Sequence, residues 1–139
     1  MQLHIMKIVA FFVRHFTERG TEVAIYDYAK YNEEILNNKS FIVCFSDNSQ
    51  KLFGFPLDKT SREKFSARFT ILEINNMNDM ANLIKTYDIN YFHTLTYGGS
   101  NDIYQFNNKT IWGECKTIKH CVFDTTYPEG DCYISISNY

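Results

Sequence analysis

The sequence predicts an α/β domain of Rossmann-like type, with a mostly parallel sheet and helices on both faces. Short continuous apolar runs, such as Met6 to Val13 and Phe41 to Phe45, read as strands buried on both sides. Segments of helical period lie between such runs. The two kinds alternate through most of the chain, as a parallel sheet with helical crossovers requires. No repeat, low-complexity tract or Pro/Gly/Ser linker divides the 139 residues, so residues 1–139 are read as one domain. With 45% apolar residues, that domain has enough side chain for a core without disulfide staples.

Met6 to Val13 is the first strand. Arg14 and Glu18-Arg19 follow it without a small-residue cleavage site, which argues against a signal peptide. A loop runs from Arg14 to Thr21, and a helix is expected over Glu22 to Leu36. Ile25, Tyr28, Ala29 and Leu36 lie on one face of that helix, and Asp27, Lys30 and Glu34 lie on the other. Asn32 falls on the apolar side and either holds an internal hydrogen bond or sits near a site. Ser40 to Phe45 forms the second strand. Thr60-Ser61-Arg62-Glu63 has capping-box spacing and predicts a helix from Thr60 to about Arg68. Thr70 to Ile74 is the third strand. A helix from Asn78-Asp79 follows, with Met80, Leu83, Ile84 and Tyr87 along one face. Ile89 to Thr96 is the fourth strand. Ser100 to Lys109 reads as polar and turn-like, Thr117 to Phe123 as the fifth strand and Cys132 to Ile136 as the sixth.

Charge and cysteine usage narrow the function. Fourteen basic residues against sixteen acidic ones give a net charge of -2, and the basic residues form no stripe able to neutralise phosphates, which argues against a nucleic-acid partner. No apolar run approaches the roughly 20 residues of a membrane span. Cys44, Cys115, Cys121 and Cys132 contain no C-x-x-C pair, so neither a zinc site nor a dithiol motif is written here. Unpaired cysteines and the lack of a signal sequence make a cytoplasmic location the expectation.

In open α/β sheets, ligands bind outside the carboxyl ends of the strands. The loop after the first strand contains Arg19-Gly20-Thr21-Glu22 directly before a helix. It is either a plain turn or a place where backbone N–H groups meet an anion or a hydroxyl-rich group. Neither a dinucleotide nor a P-loop fingerprint is present. Gly98-Gly99-Ser100-Asn101-Asp102, after the fourth strand, is either a turn or a second polar loop offering acceptors to sugar hydroxyls. His93 reads as a satisfied structural histidine. His120, near the carboxyl end of the fifth strand with Asp124 close by in sequence, is either structural or able to bond a substrate hydroxyl.

Arg19 to Ala29 resembles the G-G-x-E-x-x-x-x-x-L-A segment that opens the first helix of retaining GT-B glycosyltransferases, the large family 4 group. Lys119-His120-Cys121-Val122-Phe123-Asp124 resembles the later strand of that family that carries a histidine. Tyr133-Ile134-Ser135-Ile136-Ser137 resembles the strand that closes its amino-terminal domain. The three segments occur in family order across nearly the whole chain, with Arg19 in place of the first glycine.

The resemblance implies the acceptor-side half of a sugar-transferring enzyme. Its partners would be a nucleotide-sugar donor, a glycan or other hydroxyl acceptor, and a carboxyl-terminal donor-binding domain in the same or another chain. It implies that Gly20 and its neighbours line the cleft near the donor phosphates and that His120 contacts the transferred sugar. No metal and no other cofactor is expected, and the isolated chain is expected to have little or no transferase activity. Two other readings remain. One is a non-catalytic Rossmann-like binding or interaction module. The other, a flavodoxin-like or receiver domain, lacks the acidic cluster and the phosphoacceptor aspartate of a receiver.

Overall fold

A computed structural model describes residues 5–14, 16, 20–47, 49, 59–96, 103–122 and 127–135. Strands β1 (Ile8–Phe12), β2 (Lys39–Phe45), β3 (Thr70–Ile74), β4 (Tyr91–Thr96), β5 (Lys116–Cys121) and β6 (Cys132–Ser135) form one sheet in the order β3-β2-β1-β4-β5-β6. Every neighbouring pair is parallel. Helices α1 (Gly20–Glu34), α2 (Lys59–Arg68), α3 (Met80–Tyr87) and the single turn α4 (Lys109–Trp112) connect them. This is a Rossmann-like sheet in which the strand order reverses between β1 and β4.

Alternation along each strand feeds two cores. Ala10, Phe12, Phe41, Val43, Phe45 and Phe92 pack with Met80 of α3 and Trp112 of α4 on one face. Val9, Phe11, Ile42 and Cys44 pack with Ile25 and Ala29 of α1 and Phe65 of α2 on the other. β1, covered on both faces, is apolar at every position, and Ile8 to Val13 shows no polar alternation. Asn38 and Asn90, just before β2 and β4, accept the backbone N–H groups of Lys7 and Ile8 at 3.0 and 2.8 Å. The amino end of the central strand is thus held from both sides.

The structure differs from three local expectations. Helix α1 begins at Gly20 and ends at Glu34, and Leu36, beyond its end, is exposed rather than part of the buried face. The buried stripe is Glu22, Ile25, Ala29 and Asn32, so a polar residue stands at each end of it. Asn32 is structural: its amide donates to the Ser40 hydroxyl at 2.9 Å and its Oδ1 accepts from Asn38 at 3.1 Å.

Thr60 is not an N-cap, because α2 already includes Lys59. The capping box lies instead around a 3-10 turn, Met77–Asp79, where Asn76 accepts the N–H of Asn78 and Asp79 accepts the N–H of Asn76. Asn and Asp fill the two roles with the same acceptor chemistry as the Ser/Thr and Glu/Gln of the usual template.

The stretch read as polar and turn-like contributes to the core: Tyr104 and Phe106 are buried, and the chain turns helical at Lys109. One helical turn is too short to show a period of 3.6. Beyond it, Gly130 adopts φ +83°, and an added Cβ would lie 2.9 Å from the Thr117 hydroxyl, so the turn into β6 requires glycine.

Candidate functional site

The reversal between β1 and β4 opens the sheet at their carboxyl ends, the place where such folds take ligands. At the end of β1 stands Arg14, which is half-buried. Its guanidinium bonds the hydroxyl of Tyr104, and Tyr104 packs edge-on against Phe12 with ring centres 5.5 Å apart. Burial pushes the Tyr104 hydroxyl up to about 12 despite the neighbouring cation. No sequence motif marks Arg14. The recognisable sign was a cation directly after a strand otherwise wholly apolar.

Gly20 is the first residue of α1, so Gly20, Thr21 and Glu22 form the first turn of the helix that follows β1. Glu22 is 7% exposed, and its carboxylate accepts the Thr21 hydroxyl at 2.8 Å. Its charge lies in the first turn, where the helix dipole favours an anion. Glu22, Val23 and Tyr26 of α1 line a cavity of about 250 Å³ with Thr60, Ser61, Lys64 and Phe65 of α2. The cavity combines a carboxylate, an ammonium and hydroxyls with aromatic rings.

His120 is the fifth residue of β5, in register with Leu95 of β4 and Ile134 of β6, and is half-buried. His93, in β4, is 8% exposed. Because His93 is in register with Ile118, His120 stands two residues further along the neighbouring strand and on the same face. Their rings meet with His93 Nε2 3.1 Å from His120 Nδ1. Tyr28 of α1 stacks on His120 at 5.8 Å and 21°, and it meets His93 edge-on at 5.9 Å. Phe11 of β1 packs on His93 at 5.3 Å.

His93 is therefore not the satisfied structural histidine expected from its place in a strand. It is buried, its Nδ1 has no hydrogen-bond partner among the described residues, and its other nitrogen is engaged with His120. Burial, reinforced by the neighbouring imidazole, pulls His93 down to about 4, and burial also lowers His120.

Tyr28 ties the histidine pair to the helix that Gly20 opens. The two residues are eight positions apart on α1, roughly 12 Å along its axis. His120 thus shares the α1 side of the sheet with Gly20, Thr21 and Glu22. Arg19, Gly98, Gly99, Asn101, Asp102 and Asp124 lie outside the described residues.

No family model, curated protein or solved structure matches the chain. Among the described residues, no helix is long and apolar enough to cross a membrane. No group of three or more His, Cys, Asp or Glu side chains among them is placed to hold a metal ion.

The histidine pair makes stability depend on pH. Above about pH 6.5 His93 is neutral in both the folded and the unfolded chain. Between that pH and about 4 the unfolded chain binds a proton that the fold refuses, so stability falls as the pH drops through this window. The expected loss by pH 4 is about 3 kcal/mol. Urea midpoints at pH 7.5 and pH 4.5 measure it, and His93→Gln is expected to flatten the difference. A midpoint equally sensitive to pH in that variant would assign the acid sensitivity to other groups.

Proposed function

We propose that this chain is the acceptor-side, amino-terminal domain of a GT-B-type glycosyltransferase, contributing one half of a site that transfers a sugar from a nucleotide-sugar donor to a hydroxyl acceptor. One observation carries the reading: His120, near the carboxyl end of β5, is bound through Tyr28 to the helix that opens at Gly20-Thr21-Glu22. The segments that resemble the family's first helix and its histidine strand are thus physically joined on one side of a Rossmann-like sheet.

In this reading His120 contacts the transferred sugar. Gly20, Thr21 and Glu22, with Arg19, border the cleft near the donor phosphates, where the start of α1 favours an anion. Gly98, Gly99, Asn101 and Asp124 complete the binding edge. A carboxyl-terminal domain supplies most of the nucleotide binding and the electrostatic support for the departing diphosphate. No metal or other cofactor is assigned to this half, and the location is read as cytoplasmic.

The test is a screen of nucleotide-sugar hydrolysis and transfer on the full reading frame that encodes this chain. His120→Ala is expected to lower kcat/KM by about 10²-fold, the usual effect of removing one hydrogen-bonding group from the reacting centre. Unchanged turnover would take His120 out of the mechanism. A frame with no turnover of any nucleotide sugar would favour a binding or interaction module.

A further inference from the structure

Two neutral imidazoles 3.1 Å apart must share one proton: one nitrogen donates and the other accepts. Only two arrangements satisfy the geometry. In the first, His93 Nε2–H donates to His120 Nδ1, and His120 carries its own proton on Nε2. In the second, His120 Nδ1–H donates to His93 Nε2, and His93 carries its proton on Nδ1.

His93 Nδ1 distinguishes them, because it is buried without a hydrogen-bond partner among the described residues. The first arrangement leaves a bare acceptor there, and the second leaves a buried N–H donor unpaired. Orphaned buried donors are rarer than under-used acceptors. The first arrangement also gives both rings the Nε2–H form, the ordinary preference of a neutral histidine. Both considerations favour it.

We infer that His93 is a positioning residue that fixes His120 in its Nε2–H form, making His120 a hydrogen-bond donor to a ligand oxygen at this edge of the sheet. That the ligand oxygen belongs to a sugar rests on the glycosyltransferase reading; the fixed tautomer does not.

Charging His120 would place a proton on its Nδ1 as well. His93 Nε2 would then have to accept, and the proton of His93 would move to the unpartnered Nδ1. The neutral pair has two N–H groups and no buried orphan donor, whereas the charged pair has three and one. Among the described residues, the elements around the pair do not offset this cost: they contribute Phe11 from β1, Leu95 from β4, Ile118 from β5, Ile134 from β6 and Tyr28 from α1, of which only Tyr28 is titratable. His120 therefore acts as a neutral donor through neutral pH rather than as a base.

Imidazole 15N spectra of histidine-labelled protein at pH 7.5 test the inference directly. The expected result is His120 with Nε2 in the N–H range and Nδ1 in the lone-pair range. His93→Gln keeps an amide donor near the position of Nε2 and should preserve that pattern. His93→Leu should mix the two forms of His120 and raise its titration midpoint toward 6.5. A wild-type spectrum with the His120 proton on Nδ1, or an unchanged His120 tautomer in His93→Leu, overturns the inference. If His93→Leu fails to fold, the wild-type spectrum still decides. A fixed Nε2–H form in a full frame without sugar transfer would sink the glycosyltransferase reading alone, and sugar transfer with a mixed tautomer would sink this inference alone.

Discussion

Replacing Trp112 with alanine is expected to remove about 3–5 kcal/mol of folding stability, a large share of what a domain of this size possesses. Trp112 is fully buried, and its ring lies 4.5 Å from that of Phe92 in β4. Its indole N–H donates to the Gln105 carbonyl at 2.7 Å. Alanine would open a cavity against β4 and leave that carbonyl without its donor. Phenylalanine at the same position keeps most of the ring volume and loses the bond, so Trp112→Phe should cost only about 1–2 kcal/mol more than wild type. Urea unfolding followed by circular dichroism is the right measurement, since Trp112 is the chain's one tryptophan and its fluorescence disappears with it. Equal midpoints for the two variants would mean that the ring volume contributes little and the hydrogen bond carries the site.

The second large effect is expected at Glu129. Lys119 of β5 is completely buried, and its ammonium donates to the Tyr127 carbonyl at 2.7 Å and lies 3.5 Å from Glu129 Oε2. Phe106 and Tyr133 present ring faces about 6 Å from it. Removing the carboxylate in Glu129→Ala takes an opposite charge from beside a buried cation and is expected to cost about 2–3 kcal/mol. Lys119→Met removes the cation instead and leaves a carboxylate that is 22% exposed and can hydrate, so it should cost about 1 kcal/mol. Chemical denaturation of the two variants checks the order. A Lys119→Met protein less stable than Glu129→Ala would show that the ammonium's hydrogen bonds outweigh the charge imbalance.

These two sites also mark where the sequence was readable and where it was not. β1 and β2 were legible because a parallel strand covered on both faces is usually a continuous apolar run, and Ile8 to Phe12 and Phe41 to Phe45 are, whereas β4 and β5 bury His93, Thr94, Thr117 and Lys119. The alternation of strand and helix then implied the sheet. Trp112 was not legible as a core residue because its helix is a single turn preceded by polar residues, and the burial of Tyr104 and Phe106 comes from tertiary packing. The partnership of His93 with His120 was hidden for a different reason. The two residues are 27 positions apart, and they meet through the register of β4 on β5, which no local pattern encodes. His120 itself drew notice through its place near a strand end. The residue that sets its chemistry did not, because a histidine within an apolar strand looks the same whether or not its nitrogens are satisfied.

The central position of β1 has a consequence for how the chain assembles. Its partner β2 follows within about thirty residues, whereas its other partner, β4, begins only at Tyr91. During synthesis, β1, α1, β2, α2 and β3 are all made before β4 exists. That half can cover the face carrying Val9, Phe11 and Ile42, while Phe12, Phe41 and Phe45 on the reverse wait for α3, β4 and Trp112. Until then the half-sheet has one bare aromatic face and an open hydrogen-bonding edge along β1, the arrangement most exposed to pairing with a wrong strand. The docking of β4 onto β1 is a long-range closure and is expected to be slow. Slowed translation between Ile74 and Tyr91 should therefore lower the soluble yield more than the same delay placed after Cys121.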